Sequence, residues 1–142
     1  MQVKDAMTRD PKVTSPETTL VDVAAMMRSQ NVGAIPVGEN DRLVGMVTDR
    51  DIAMRAVAEG GNPGNTTVRE VMSGGVYYCF EDAALAEAAE TMAEHQVQRL
   101  PVLNRDKRLV GMLAVADLAR NDPDALAAAF RGIARESDTP RS

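Results

Sequence analysis

The feature that most constrains this chain is that it contains the same unit twice. Shifted by 65 residues, positions 3–41 fall on 68–106; shifted by 66, positions 42–53 fall on 108–119, with Lys107 as a one-residue insertion. Sixteen of these 51 pairs are identical, among them Met7/Met72, Leu20/Leu85, Met27/Met92, Pro36/Pro101, Val37/Val102, Gly45/Gly111 and Asp51/Asp117. A 142-residue chain built this way makes one compact domain or two small ones sharing a core.

Each copy carries one pattern. Val3 to Met7 reads as a helical lead-in, and Lys12-Val13-Thr14-Ser15 as a short extended piece closed by Pro16, which disfavours helix just before it. Thr19 begins a helix, with Asp22 completing a capping box, and Leu20, Val23, Ala24 and Met27 fall on one helical face. Asn31 and Gly33 end it. Ala34-Ile35-Pro36-Val37 reads as a strand whose proline puts it at an edge or a strand start. A polar turn at 39–42 leads to a returning strand, Leu43 to Val47, and Thr48 opens a second helix running to about Glu59.

The unit is therefore β-α-β-β-α, of class α/β (α+β). Its three-stranded sheet and two helices are too few to bury both faces, so two copies packed sheet to sheet are expected. The expected divisions are repeat one at 1–60, a Gly/Pro/Asn-rich linker at 61–67, repeat two at 68–121, and a last segment at 122–142. Thr67 and Glu70 suggest a capping box for the second lead-in. The last segment predicts a helix with Leu126, Phe130 and Ile133 on one face, then a polar, disordered tail from Ser137 to Ser142.

Composition excludes several classes. Hydrophobic residues are 44%, but aromatics only 3% with no Trp and nine Met, so the core must be aliphatic and thioether-rich. A net charge of -5 and the lack of a basic stripe argue against nucleic acid, Arg105 to Arg108 reading as a solvated turn. No apolar run approaches a membrane span, and Met1 to Asp5 does not open a signal peptide. A single cysteine, Cys79, excludes an intrachain disulfide and suits a reducing cytoplasm, where the chain is expected. Neither Cys79 nor the lone His95 has a sequence partner for catalysis or a metal, and an enzyme is not expected.

The chemistry concentrates at Gly45-Met46-Val47-Thr48-Asp49-Arg50-Asp51, a strand running into a helix start. Thr48 and Asp51 are spaced as a capping box, and free amides at such a start attract phosphate. Copy two repeats the stretch as Gly111-Met112-Leu113-Ala114-Val115-Ala116-Asp117, which keeps the carboxylate and loses the hydroxyl.

Two such copies, each with an apolar-Pro-Val strand and a hairpin ending in Gly-x-apolar-x-x-x-Asp, closely resemble a tandem pair of CBS domains, a Bateman module. Gly-Met-Val-Thr-Asp-Arg-Asp together with Glu-His-Gln-Val-Gln-Arg-Leu-Pro-Val is similar to small stand-alone pairs of the hypoxic-response type. The resemblance implies a pseudo-twofold pair with clefts between the repeats that bind adenosine-containing ligands: AMP, ADP or ATP, and in some members NAD or S-adenosylmethionine. It also implies a homodimer that regulates an unidentified effector protein in trans. By the same resemblance, Asp51 would accept from ribose hydroxyls and Thr48 would meet a phosphate. Thr14 and Ser15 would border adenine or sugar, Ala34, Ile35 and Pro36 would form an apolar wall, Arg50 would neutralise phosphate, and Met46 and Val47 would adjoin the base. A weaker second site would use Cys79, Arg99, Leu100, Pro101 and Asp117. The alternative is a ligand-free dimeric stress or assembly protein working through the Leu126-Phe130-Ile133 surface.

Overall fold

The structure is a computed structural model and describes residues 1–137. In chain order its elements are α1 (Val3–Ala6), β1 (Thr8–Arg9), α2 (Leu20–Gln30), β2 (Ala34–Glu39), β3 (Arg42–Thr48), α3 (Asp49–Ile52) continuing into a π-helical turn (Ala53–Val57), and α4 (Val68–Val71). Then follow β4 (Cys79–Phe80), α5 (Leu85–His95), β5 (Arg99–Leu103), β6 (Leu109–Ala114), α6 (Val115–Asn121) and α7 (Pro123–Ser137). The class is mixed α/β, as expected.

The chain forms two compact units that cross the sequence repeats. One comprises Lys12–Val76; the other joins Met1–Pro11 to the chain from Tyr77 on. The repeats thus exchange lead-ins, and each lead-in is held by equivalent bonds. Val3 N–H donates to the Ala83 carbonyl at 2.9 Å, and Val68 N–H to the Thr18 carbonyl at 2.8 Å. Val3 and Val68 are both fully buried in the unit they join.

In the Lys12–Val76 unit, β2 and β3 pair antiparallel, Ala34 opposite Thr48 and Pro36 opposite Met46. The expected third strand is reduced to one parallel bridge, Thr14 to Val37, and the chain after the lead-in adds an antiparallel one, Met46 to Ser73. The core is Leu20, Val23, Met27, Ile35, Val37, Val47, Ala56, Val68 and Val71.

In the other unit the same pairings lengthen into a four-stranded sheet, β1-β6-β5-β4. Pro101 therefore lies in an interior strand, where a ladder normally rejects proline. It is tolerated because β4 starts only at Cys79, opposite Val102, so that the proline precedes the parallel ladder. The core, as composition required, is aliphatic: Leu85, Ala88, Ala89, Met92, Leu100, Val102, Leu113 and Leu118, joined by Val3, Ala6 and Met7.

The motif glycine is explained by the lead-in. A Cβ at Gly45 would stand 2.8 Å from the Ser73 carbonyl oxygen and 3.0 Å from Met72 Sδ. At Gly111 it would stand 2.8 Å from the Thr8 oxygen and 2.5 Å from Met7 Sδ. Only glycine lets the lead-in backbone cross at these points.

Several expectations are corrected. The second helix of repeat one does not run as one α-helix to Glu59; after Ile52 it widens into the π-turn. Thr19 caps α2 by accepting from Asp22 N–H at 3.3 Å, but no return bond from the Asp22 carboxylate is found among the described residues. At α4 only the reverse half forms, Thr67 N–H donating to Glu70 Oε2 at 2.7 Å, while the Thr67 hydroxyl turns to the same carboxylate. Asn31 does end α2 in the left-handed conformation, φ 54°, matched by Gln96 at φ 57° after α5.

The face of α7 is also not the expected one. Ala125, Ala129 and Gly132 are buried, Leu126 and Ile133 half-buried, and Phe130 is 45% exposed. A Cβ at Gly132 would stand 2.3 Å from Ala93 Cα, so α7 lies against α5 at a distance that only small residues permit. The buried stripe is rotated by one residue from the predicted one. Of the expected polar tail, Ser137 is the last residue of α7, and 138–142 lie outside the described residues.

Candidate functional site

The junction in repeat one is a closed capping box. Asp51 N–H donates to Thr48 Oγ1 at 3.0 Å, and Thr48 N–H donates to Asp51 Oδ2 at 2.9 Å. Thr48 has the extended backbone an N-cap needs, φ -119° and ψ 160°. The Asp51 side chain is 14% exposed, and its second oxygen, Oδ1, is ion-paired to Arg55 Nε at 4.0 Å and accepts no hydrogen bond among the described residues. Arg55 is turned elsewhere, its Nη1 donating to the Val71 carbonyl at 3.2 Å. An ionised carboxylate offers about four acceptor positions. Asp51 therefore keeps acceptor capacity, and the Thr48 hydroxyl keeps its proton to donate.

The expected free amides are not there. Asp49 N–H donates to the Gly33 carbonyl at 2.9 Å, Arg50 N–H to Asp49 Oδ1 at 2.8 Å, and Asp51 N–H to Thr48. All three first-turn donors are spent on protein groups, so a phosphate finds no amide cradle. Asp49 was not among the sequence candidates. It packs against Gly33, where a Cβ would stand 2.8 Å from Asp49 Oδ2, and its carboxylate adds negative charge at the helix start. The acidic residue directly after the N-cap was visible in the sequence; its approach to Gly33, 16 residues away, was not.

The other repeat-one candidates divide by burial. Ile35 and Val47 put their side chains into the core, so they can border a ligand through backbone only. Pro36 is buried, Ala34 and Met46 are half-buried, and Ser15 and Arg50 are exposed. Met46 exchanges both backbone groups with Ser73, at 3.0 and 2.9 Å. Ser15 is held in a local turn, its Oγ 3.3 Å from Thr18 Oγ1. Thr14 is bound to β2 on either side of Val37, its N–H donating to the Pro36 oxygen and its carbonyl accepting from Gly38 N–H. The Thr14 side chain is the anomaly: the residue is 5% exposed and its Oγ1 has no hydrogen-bond partner among the described residues. An unpaired buried hydroxyl costs roughly 1–3 kcal/mol, so this oxygen lacks a partner it should have.

Repeat two is built differently at the same places. Ala114 N–H donates to Asp117 Oδ2 at 2.8 Å, preserving half the box; the methyl group cannot supply the other half. Asp117 Oδ1 is taken by the Arg120 guanidinium, and the Asp117 side chain is only 5% exposed. Cys79, aligned with Thr14, is buried, and burial pushes its thiol up to about 12. Such a thiol stays neutral and unreactive. Leu100 is core, Pro101 is buried, and Arg99 is exposed at the start of β5, opposite Ala114. Arg120 was not a sequence candidate, although its i,i+3 spacing from Asp117 was visible.

Comparison with known proteins accords with this geometry. The CBS-domain family model matches residues 3–57 and 68–124. The CBS domain-containing protein YhcV of Bacillus subtilis is 45% identical over 119 residues, covering 84% of each chain. Hypoxic response protein 1 of Mycobacterium tuberculosis is 38% identical over 122 residues, 85% of each chain. The crystal structure of Hypoxic Response Protein I with two coordinated zinc ions superposes with a TM-score of 0.78, covering 85% of this chain and 98% of that one. CBSX2 in complex with AMP superposes at 0.75 with 26% identity, covering 87% of this chain and 96% of that one. Among the described residues no three His, Cys, Asp or Glu side chains converge to hold a metal ion. Nor is any helix among them long and apolar enough to cross a membrane. Duplicated sequence, exchanged lead-ins, motif glycines and carboxylate-clamped helix starts all meet in one conclusion: the chain belongs to the CBS-domain family and carries two CBS domains.

Proposed function

We propose that this CBS pair is a regulatory module whose first repeat binds an adenosine-containing ligand and acts in trans on an effector. The observation that carries the reading is Asp51, a largely buried carboxylate with one oxygen held by Thr48 and the other without a hydrogen bond among the described residues. A ribose diol supplies two hydroxyl donors to such a group, and the bonds are charge-assisted. Thr14, with its unpaired buried hydroxyl, supports the same segment as ligand-lining. The AMP in the CBSX2 structure makes AMP the first ligand to try, with ADP, ATP, NAD and S-adenosylmethionine beside it. Because the helix-start amides are spent, affinity rests on the nucleoside, and a phosphate adds contacts only through the Thr48 hydroxyl and the Arg50 side chain. The role is regulatory rather than catalytic, in a cytoplasmic homodimer.

A thermal-shift panel tests this. Ligand at 100 times its dissociation constant adds about 2.7 kcal/mol, which for a domain of this size is several degrees. Asp51→Ala abolishes the ligand-induced shift. No shift with any of the five ligands refutes the reading. Phe130, exposed on α7, favours the second reading, an assembly protein working through that surface; Phe130→Ser that dissociates a dimer without altering any ligand shift would select it.

A further inference from the structure

We propose that Arg120 is an internal occupant of the second repeat's carboxylate, closing that site so that each chain takes up one adenosine-containing ligand, in repeat one. This rests on the reading of Asp51 given above. The two aspartates are aligned, and each spends Oδ2 on the N-cap amide, at 2.9 Å for Thr48 and 2.8 Å for Ala114. They differ in the remaining oxygen. Asp117 Oδ1 is hydrogen-bonded by Arg120; Asp51 Oδ1 accepts no hydrogen bond among the described residues and faces Arg55 Nε at 4.0 Å.

The residue aligned with Arg120 in repeat one is Met54, which cannot donate, and the guanidinium next to it, Arg55, is drawn to the Val71 carbonyl. The residue aligned with Arg55 in repeat two is Asn121, whose Nδ2 donates to the Asp117 carbonyl and leaves the carboxylate to Arg120. A ribose hydroxyl entering repeat two must displace a guanidinium from a carboxylate, replacing a charged donor by a neutral one, which is unfavourable. In repeat one it meets only the longer ion pair from Arg55 Nε, at 4.0 Å, whose guanidinium already donates to the Val71 carbonyl. Arg120 is itself 67% exposed, so removing it opens the carboxylate without emptying a packed core.

The test is calorimetric titration of the full chain with AMP, comparing wild type, Arg120→Met and Met54→Arg, each checked for folding by circular dichroism. Arg120→Met gives the second repeat the residue of the first and takes up one more equivalent of AMP than wild type. Met54→Arg, at a site 57% exposed, places a guanidinium beside Asp51 and weakens repeat-one uptake at least tenfold. An Arg120→Met protein with unchanged stoichiometry overturns the proposal. Should that variant fail to fold, Met54→Arg decides: unchanged binding overturns it and lost binding supports it. Should wild type bind no AMP, the proposed function falls. Arg120→Met still decides here, one equivalent gained supporting the closure and none refuting it.

Discussion

The starts of α3 and α6 have the same backbone and different chemistry. Thr48 and Ala114 adopt nearly the same conformation, φ -119° ψ 160° and φ -120° ψ 163°, and both donate their N–H to an aspartate three residues on. The shared aspartate is thus a structural clamp first. On the proposed function, its other oxygen decides whether it also receives a ligand, and therefore residues outside the motif: Arg55, shared with the Val71 carbonyl and 4.0 Å away, in one repeat, and Arg120, hydrogen-bonded, in the other. Identity at the motif position leaves the partner of the second carboxylate oxygen unspecified.

The comparison is first sharpened by a substitution that must not distinguish the repeats. Gly45→Ala and Gly111→Ala each drive a methyl group into a lead-in carbonyl at 2.8 Å, and each should cost about 3 kcal/mol as the lead-in is pushed off its strand. Urea denaturation of the two variants should give losses within about 2 kcal/mol of each other, the usual spread of such overpacking costs. A protein that tolerates one and not the other would show that the exchanged lead-ins are not equivalent.

The aspartates should separate. Asp117→Ala strips a buried amide and a guanidinium of their partner and should cost about 2 kcal/mol; Asp51→Ala, at a more exposed junction, should cost about 1 kcal/mol. The ligand-induced thermal shift should show the reverse order, lost in Asp51→Ala and kept in Asp117→Ala. Equal stability losses paired with equal binding losses would mean that the two carboxylates do the same work.

These contrasts also mark where sequence reading stops. The duplication, the αL turn at Asn31, the paired strands and the Thr48–Asp51 box all follow from spacing and local backbone preference, and all are present. The exchange of lead-ins is not local: Val3 to Met7 looks the same whichever unit it enters. The spent amides needed the Gly33 carbonyl, 16 residues from Asp49, and the rotation of α7 needed Ala93 opposite Gly132. The Asp117–Arg120 pair is an intermediate case. Its spacing permits contact, but every exposed arginine one helical turn from an aspartate has that permission, and only the burial of Asp117 makes this one consequential.

Restoring the missing hydroxyl tests the structural half of the comparison alone. Ala114→Thr finds the N-cap backbone already in place and should stabilise the chain by about 1 kcal/mol, with Thr48→Ala losing a similar amount. Chemical denaturation reads both. If Ala114→Thr gains nothing, the Arg120 contact has drawn α6 away from ideal cap geometry, and the two starts are less alike than their dihedrals.

The smallest effect concerns the exposed braces of the two units, which match in position but not in donor. Arg69 grips Glu17 and Glu39 in one; Arg105 grips Asp82 with two nitrogens, at 2.9 and 2.7 Å, and lies over the Phe80 ring at 4.2 Å in the other. The hydrogen bonds from Arg105 hold the Asp82 carboxyl below its ordinary 3.8. A depressed carboxyl stabilises the folded state above the unfolded value, and this contribution disappears as pH falls through the folded one. Arg105→Ala should therefore raise the Asp82 pKa, followed by carbon NMR of its carboxyl, and reduce stability slightly at pH 7. The difference from wild type should close as pH falls below the wild-type Asp82 pKa. Because the pair is exposed, 0.5 M salt should shrink the difference at pH 7 as well. A stability gap that persists in acid would assign the role of Arg105 to its stacking on Phe80 rather than to the carboxylate.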